Sequence, residues 1–138
     1  VRIYSFCRLV ERKNLLNAVR AIALLKDKRL PVPFEYVISG TGPLADEIRA
    51  AIDRLELHDH VRMTGYLPDS QVIENFKNTD IFLHPQVAAV SDLDIEGFGL
   101  VIADAMSFGA AAVVGQDGGP SDFIDDDQTG LNVHGGRF

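Results

Sequence analysis

Along this chain a short β-prone apolar run is repeatedly followed by a loop of glycine, proline or charged residues, and then by apolar residues at helical spacing. That alternation constrains the fold more than any other feature. A strand that rejoins its sheet through a helix runs parallel to its predecessor, and parallel sheets are covered on both faces. The spacing predicts strands over Arg2 to Phe6, Phe34 to Ser39, Val61 to Thr64, Asp80 to His84, Ala111 to Val114 and Leu131 to Val133. Between them, a helix over Asn14 to Lys26 carries Leu15, Ala18, Val19, Ile22 and Leu25 as one stripe, and a second behind Pro43 carries Leu44, Ile48, Ala51, Ile52 and Leu55. A third, capped by Asp69 or Ser70 and ending at Asn78, is expected to bury Val72, Ile73 and Phe76. A fourth starts at Leu100, with Met106 and Phe108 read as core, and a short helix is expected around Ser121 to Ile124. The expected fold is α/β: a Rossmann-like parallel sheet flanked by helices, with right-handed crossovers.

The 138 residues, 46% of them hydrophobic, suffice for one domain with a real core. A net charge of −7 argues against a nucleic-acid or anionic-membrane surface, which needs clustered Lys and Arg. Cys7 is the single cysteine, which excludes an internal disulfide and a cysteine-rich zinc site; with no signal-peptide pattern, a cytoplasmic location is expected. The longest apolar stretch, Leu100 to Gly115, is interrupted by Asp104, Ser107 and Gly109 and is too short to span a bilayer.

In sheets of this kind ligands sit beyond the carboxyl ends of the strands, and every unusual loop falls at such an end: Cys7 to Lys13, Gly40 to Pro43, Gly65 to Pro68, His84 to Gly99 and Gly115 to Pro120. The richest stretch is Asp92 to Gly109. Asp94 and Glu96 precede Gly97-Phe98-Gly99, and a helix opens at Leu100. Glycines there let a ligand approach the main chain, and bare amides at the helix start favour an anion such as phosphate. Glu96 and Asp104 put carboxylates beside that anion site, Asp104 on the same helix face as Leu100. A phosphate site flanked by carboxylates fits a ligand that carries hydroxyls as well, such as a nucleotide sugar. Arg8, Arg12 and Lys13 form a basic cluster in the first loop that would meet a diphosphate.

The segments FCRLVERKN, ISGTGPL, TGYLP, DIFLHP, EGFGLVIADAMSFG and GGPSDFIDDDQTGLNV, in that order, resemble the carboxy-terminal, donor-binding domain of a large family of retaining glycosyltransferases with the two-domain GT-B fold. The resemblance implies one half of a GT-B architecture over residues 1–138, truncated at both ends. It also implies a partner amino-terminal domain of the same parent that binds the acceptor. The implied reaction is hexosyl or related transfer from a nucleoside diphosphate sugar, with no metal or other cofactor, and this part alone is expected to be inactive. Arg8 and Lys13 match the family's diphosphate-binding positions, Glu96 the acid at the sugar hydroxyls, and Asp104 the acid at the ribose. Gly40, Gly42, Gly97, Phe98, Gly99 and Leu100 complete the donor-binding set, and the main chain near Leu67 reads the base. Two departures stand out: Cys7 replaces the usual glycine before the arginine, and Asp104 replaces glutamate, losing about 1.5 Å of reach. The loop QVAAVSDLDIEGFG resembles the subset that builds bacterial surface polysaccharides, where membrane contact of the parent is compatible but not indicated by these residues.

Simpler readings stand beside these. Gly40 to Pro43 could be a strand-to-helix turn, Arg8 and Lys13 solvated charges, and Glu96 an exposed loop acid. His84 reads as structural or solvent-facing, with donor contact the lesser option. His58, His60 and His134 show no ligand spacing, and Asp125 to Asp127 read as a solvated turn. The functional alternative is a non-catalytic nucleotide-binding or interaction module with a Rossmann-like fold. An oxidoreductase is disfavoured because no G-x-G-x-x-G follows the first strand.

Overall fold

The computed structural model describes residues 1–28, 30–88, 99–122 and 124–134. Strand β1 (Arg2–Phe6) leads through a single 3₁₀ turn (Glu11–Lys13) into α1 (Leu15–Asp27). Then come β2 (Glu35–Ser39), α2 (Ala45–Arg54), β3 (Val61–Gly65), α3 (Asp69–Lys77), β4 (Ile81–His84), α4 (Leu100–Ser107), β5 (Ala111–Gly115), a second 3₁₀ turn (Gly119–Asp122) and β6 (Gly130–Val133). The strands form one sheet in the order β3-β2-β1-β4-β5-β6, every pair parallel. This is the expected Rossmann-like α/β architecture.

Period-2 burial explains how two cores share one sheet. In β2, Tyr36 and Ile38 enter a core with α1 and α2, whereas Val37 between them enters the opposite core, with α3 and α4. On the first face Leu15, Ala18, Val19 and Ile22 of α1 meet Ile48, Ala51 and Ile52 of α2. On the second, Tyr4, Phe76 and Phe82 pack as an aromatic trio with ring centroids 5.6 to 6.1 Å apart. Burying a side chain of this size contributes about 1.5–3 kcal/mol. The Tyr36 hydroxyl is held 2.8 Å from Ser5 Oγ, and burial pushes its phenol pKa up; Tyr4 is raised for the same reason.

Three local expectations are corrected. Ile73 is 43% exposed, because Val72 and Phe76, four residues apart, set the buried stripe of α3 and turn their neighbour outward. Phe108 is 42% exposed at the end of α4; it lies over Phe76 with rings nearly parallel, 6.0 Å between centroids, instead of entering the core. Pro68, not Asp69 or Ser70, occupies the N-cap of α3, and its side chain makes no capping bond. Asp69 becomes the first helical residue, where its charge favours the dipole.

Candidate functional site

The sheet order reverses between β1 and β4, since β1 leads outward through β2 to β3 while β4 leads the other way to β6. Loops leaving two adjacent strands in opposite directions open a crevice beyond their carboxyl ends. Lys13 and His84 occupy this place. Lys13 is only 7% exposed, and its Nζ lies 3.4 Å from His84 Nε2, itself buried and stacked on Phe82. His84 is thus not solvent-facing, and Lys13 is not a solvated charge. Desolvation makes a buried ammonium costly without polar company, and the loop supplies a rigid setting. The Val87 amide donates to the Arg12 carbonyl at 2.9 Å, and Asn14 Nδ2 to the Pro85 carbonyl at 3.0 Å. Asn14 sits in the left-handed region, φ 56°, a conformation asparagine tolerates, so the chain turns from the 3₁₀ segment directly into α1. Arg8 is exposed in the same loop.

The loops on either side are tied to this one mainly through main-chain groups. Cys7 N–H donates to Ser39, Leu9 N–H to Thr41, Leu44 N–H to Leu9, and Gly40 N–H to the Gly65 carbonyl, at 2.8 to 3.2 Å. A Cβ on Gly40, at φ 128°, would overlap the Cys7 carbonyl, and one on Gly42 would meet the Leu9 backbone. That close approach accounts for both glycines without a ligand. On the far side Gln86, fully buried, donates through Nε2 to the carbonyls of Gly115 (2.8 Å) and Asp117 (3.1 Å), and its Oε1 accepts from Gly115 N–H at 3.2 Å. The Asp117 carboxylate accepts from Ala88 N–H, and Gln116 N–H donates to Val133. A hydrogen-bonded belt therefore runs along the whole rim, from Gly65 to Val133. Sequence reasoning missed Gln86, which carries no periodic or spacing signal.

Gly99 starts α4 at φ 71°, and its carbonyl accepts from Ile102 N–H at 2.8 Å. Leu100 is 69% exposed, and Asp104, one turn on, is exposed as well, so these two share an outward face as expected. Ile102 and Ala105 point to the core instead. Leu67 is half-buried against the second core, beside exposed Tyr66. Asp94, Glu96, Gly97 and Phe98 lie outside the described residues. The Asp125 to Asp127 turn is exposed, and Asp126 Oδ1 accepts from Asn132 N–H at 2.8 Å. Among the described residues, no helix is long and apolar enough to cross a membrane.

The chain matches the family model "Glycosyl transferases group 1" over residues 2–137. It belongs to that family. This group 1 glycosyltransferase chain is 33% identical over 130 residues to the amylovoran biosynthesis glycosyltransferase AmsK of Erwinia amylovora, covering 94% of this chain and 31% of AmsK. It therefore spans about a third of that curated relative's length. Anabaena HepE, solved in complex with UDP, superposes with a TM-score of 0.77 at 22% identity, covering 96% of this chain and 34% of HepE. The C-terminal domain of the Francisella tularensis group 1 family protein LpcC superposes with a TM-score of 0.77 at 24% identity, covering 96% of this chain and 67% of that one. The group 1 chain thus shares the Rossmann-like fold of the matched part of GT-B glycosyltransferases.

Proposed function

We propose that this chain is the donor-binding part of a retaining glycosyltransferase that uses a nucleoside diphosphate sugar, in bacterial polysaccharide or glycan synthesis. The observation that carries the reading is the buried Lys13 at the point where the strand order reverses, with Arg8 exposed in the same loop. Two cations in one loop suit a diphosphate, whose negative charge grows as the sugar departs. The amides opening α4 at Leu100 supply further donors. Glu96 orients the sugar hydroxyls, Asp104 holds the ribose, and main chain near Leu67 reads the base. Gly40 and Gly42 act indirectly, letting the Thr41 loop press against Leu9 and so fix the loop bearing Arg8. No metal enters this reading, and the acceptor is bound by an amino-terminal domain of the parent.

Titration calorimetry with UDP, GDP and ADP, with and without chelator, tests it. Weak, metal-independent binding that declines with added salt is the expected result. No heat from any of the three at millimolar concentration with the intact parent would reject the donor assignment. Binding that leaves every transfer assay silent would favour the non-catalytic module instead.

A further inference from the structure

His84 is a buried titratable residue that no step of the donor reading uses. It is 2% exposed at the carboxyl end of β4, and its surroundings hold it firmly. The residue pairs in register with Val114 of β5, and its carbonyl accepts from the Gln86 amide at 2.9 Å. Its ring stacks on that of Phe82, which points to the same face of the strand, with 13° between the ring planes. Phe82 and Val114 are both completely buried. The imidazole is therefore anchored to the core beneath it.

Lys13 is built differently. It comes from the loop after β1, where its amide donates to the Val10 carbonyl at 3.0 Å, and its charge sits at the end of a flexible four-carbon stem. A cation on such a stem stabilises a developing anion best when its position is set beforehand, and ordering a long side chain at the moment of binding lowers affinity. The 3.4 Å between Lys13 Nζ and His84 Nε2 puts the end of that stem against the anchored ring, and contacts of this kind are often long before a ligand binds. Imidazole suits the task chemically. An acceptor nitrogen takes one of the three N–H donors of an ammonium and adds no charge of its own. A carboxylate in the same place would hold Lys13 but offset the charge presented to a diphosphate, and an aliphatic side chain would leave the buried ammonium without this polar neighbour.

We propose that His84 is the positioning residue for Lys13: its Nε2 accepts from the Lys13 ammonium and aims it at the donor diphosphate, without touching the nucleotide itself. This rests on the donor-binding reading and adds to it a residue of β4, the strand on the other side of the point where the strand order reverses. The loop after β1 brings the charge, and β4 sets its direction.

A double-variant cycle in the intact parent tests it, by calorimetry with whichever of UDP, GDP and ADP the parent binds. His84→Phe keeps a ring to stack on Phe82 and removes the acceptor, and Lys13→Met removes the partner. Where Lys13 is present, His84→Phe should weaken binding roughly three- to tenfold, the ordering cost of one long side chain. In the Lys13→Met background the same change should weaken it by less than about twofold. His84→Gln, whose amide oxygen reaches close to the Nε2 position, should bind within about twofold of the parent. A merely structural His84 would lower affinity by the same factor in both backgrounds. That result, no loss in either background, or a Gln variant as weak as the Phe variant overturns the proposal while leaving the donor reading in place. Should His84→Phe not fold, His84→Asn, whose amide stops short of Lys13, enters the cycle with the same expectations. If the parent binds none of the three nucleotides at millimolar concentration, the donor reading itself fails and this inference with it.

Discussion

Lys13 Nζ stands 3.4 Å from His84 Nε2, with both side chains buried where the sheet reverses its strand order. An ammonium can only donate, so a charged Lys13 bonds His84 only where the imidazole nitrogen facing it is the acceptor. Lys13→Met keeps the apolar stem and removes the charge. We expect the fold to persist at a cost of about 1–3 kcal/mol, since removing one side of a buried polar contact is destabilising. Nucleoside diphosphate affinity in the parent should fall roughly ten- to over a hundredfold, the equivalent of about 1.5–3 kcal/mol for a hydrogen bond to a charged group. Calorimetry on the folded variant checks this, and unchanged affinity would remove Lys13 from the site.

Arg8 offers a contrasting case, because it is exposed. Arg8→Ala should leave stability within about 0.5 kcal/mol of the parent and lower transfer efficiency roughly ten- to over a hundredfold. Its binding should also become less sensitive to salt. Steady-state kinetics at two ionic strengths separates this from a general loss of fold.

Gly40→Ala is expected to be severely destabilising. Its Cβ would overlap the Cys7 carbonyl at a positive φ, so both the loop and the residue must shift. Gly109→Ala is the control: also at positive φ, but with no atom within 4 Å of the new Cβ, it should cost only about 1–2 kcal/mol. Urea unfolding of the two variants should show Gly40→Ala clearly the worse; equal losses would mean that backbone strain, not contact, governs position 40.

Gln86→Leu keeps bulk but strips the amide that satisfies Gly115 and Asp117 main-chain groups. Leaving buried partners unpaired costs about 1–3 kcal/mol for each. A loss of that order in denaturant unfolding is expected, and Gln86→Glu should not restore it, because a carboxylate cannot donate to the Gly115 carbonyl.

Stability should fall in alkali. Burial raises the phenol pKa values of Tyr4 and Tyr36 in the folded chain, whereas an unfolded tyrosine ionises near about pH 10. Above that pH the unfolded state releases its protons first. The stabilisation is therefore whole below about pH 10 and is lost as pH climbs toward the folded values, by up to about 1.4 kcal/mol per pH unit for each ring. Tyr36→Phe should flatten the decline between pH 10 and 12 in urea titrations, although it also removes the contact to Ser5. An unchanged slope would mean that other groups drive alkaline unfolding.

The strand and helix order was legible because doubly buried strands such as Tyr36-Val37-Ile38 and stripes such as Leu15-Ala18-Val19-Ile22 depend on local composition and period. The misreadings arose where period alone underdetermines facing. Ile73 is adjacent to Val72 on α3, and only the fit of Phe76 among Tyr4 and Phe82 decides which of the two turns inward. Topology gathered the loops on one rim, but did not say what holds them together. Gly40 meets Cys7 and Gln86 meets Gly115 across 33 and 29 residues of chain, and no local pattern encodes such meetings. Lys13 was readable as a cation and unreadable as a buried one, since its burial depends on His84 arriving from β4.

The belt along the rim has a consequence for how this scaffold can diverge. Its bonds are mostly between main-chain groups, so exposed residues such as Thr41 and Tyr66 hang from it as exchangeable pendants. A substitution there retunes recognition without disturbing its neighbours. A one-residue insertion between Cys7 and Leu9 would instead throw every later bond in that loop out of phase. Point substitution and length variation should therefore meet opposite fates along the same rim, the first tolerated and the second purged.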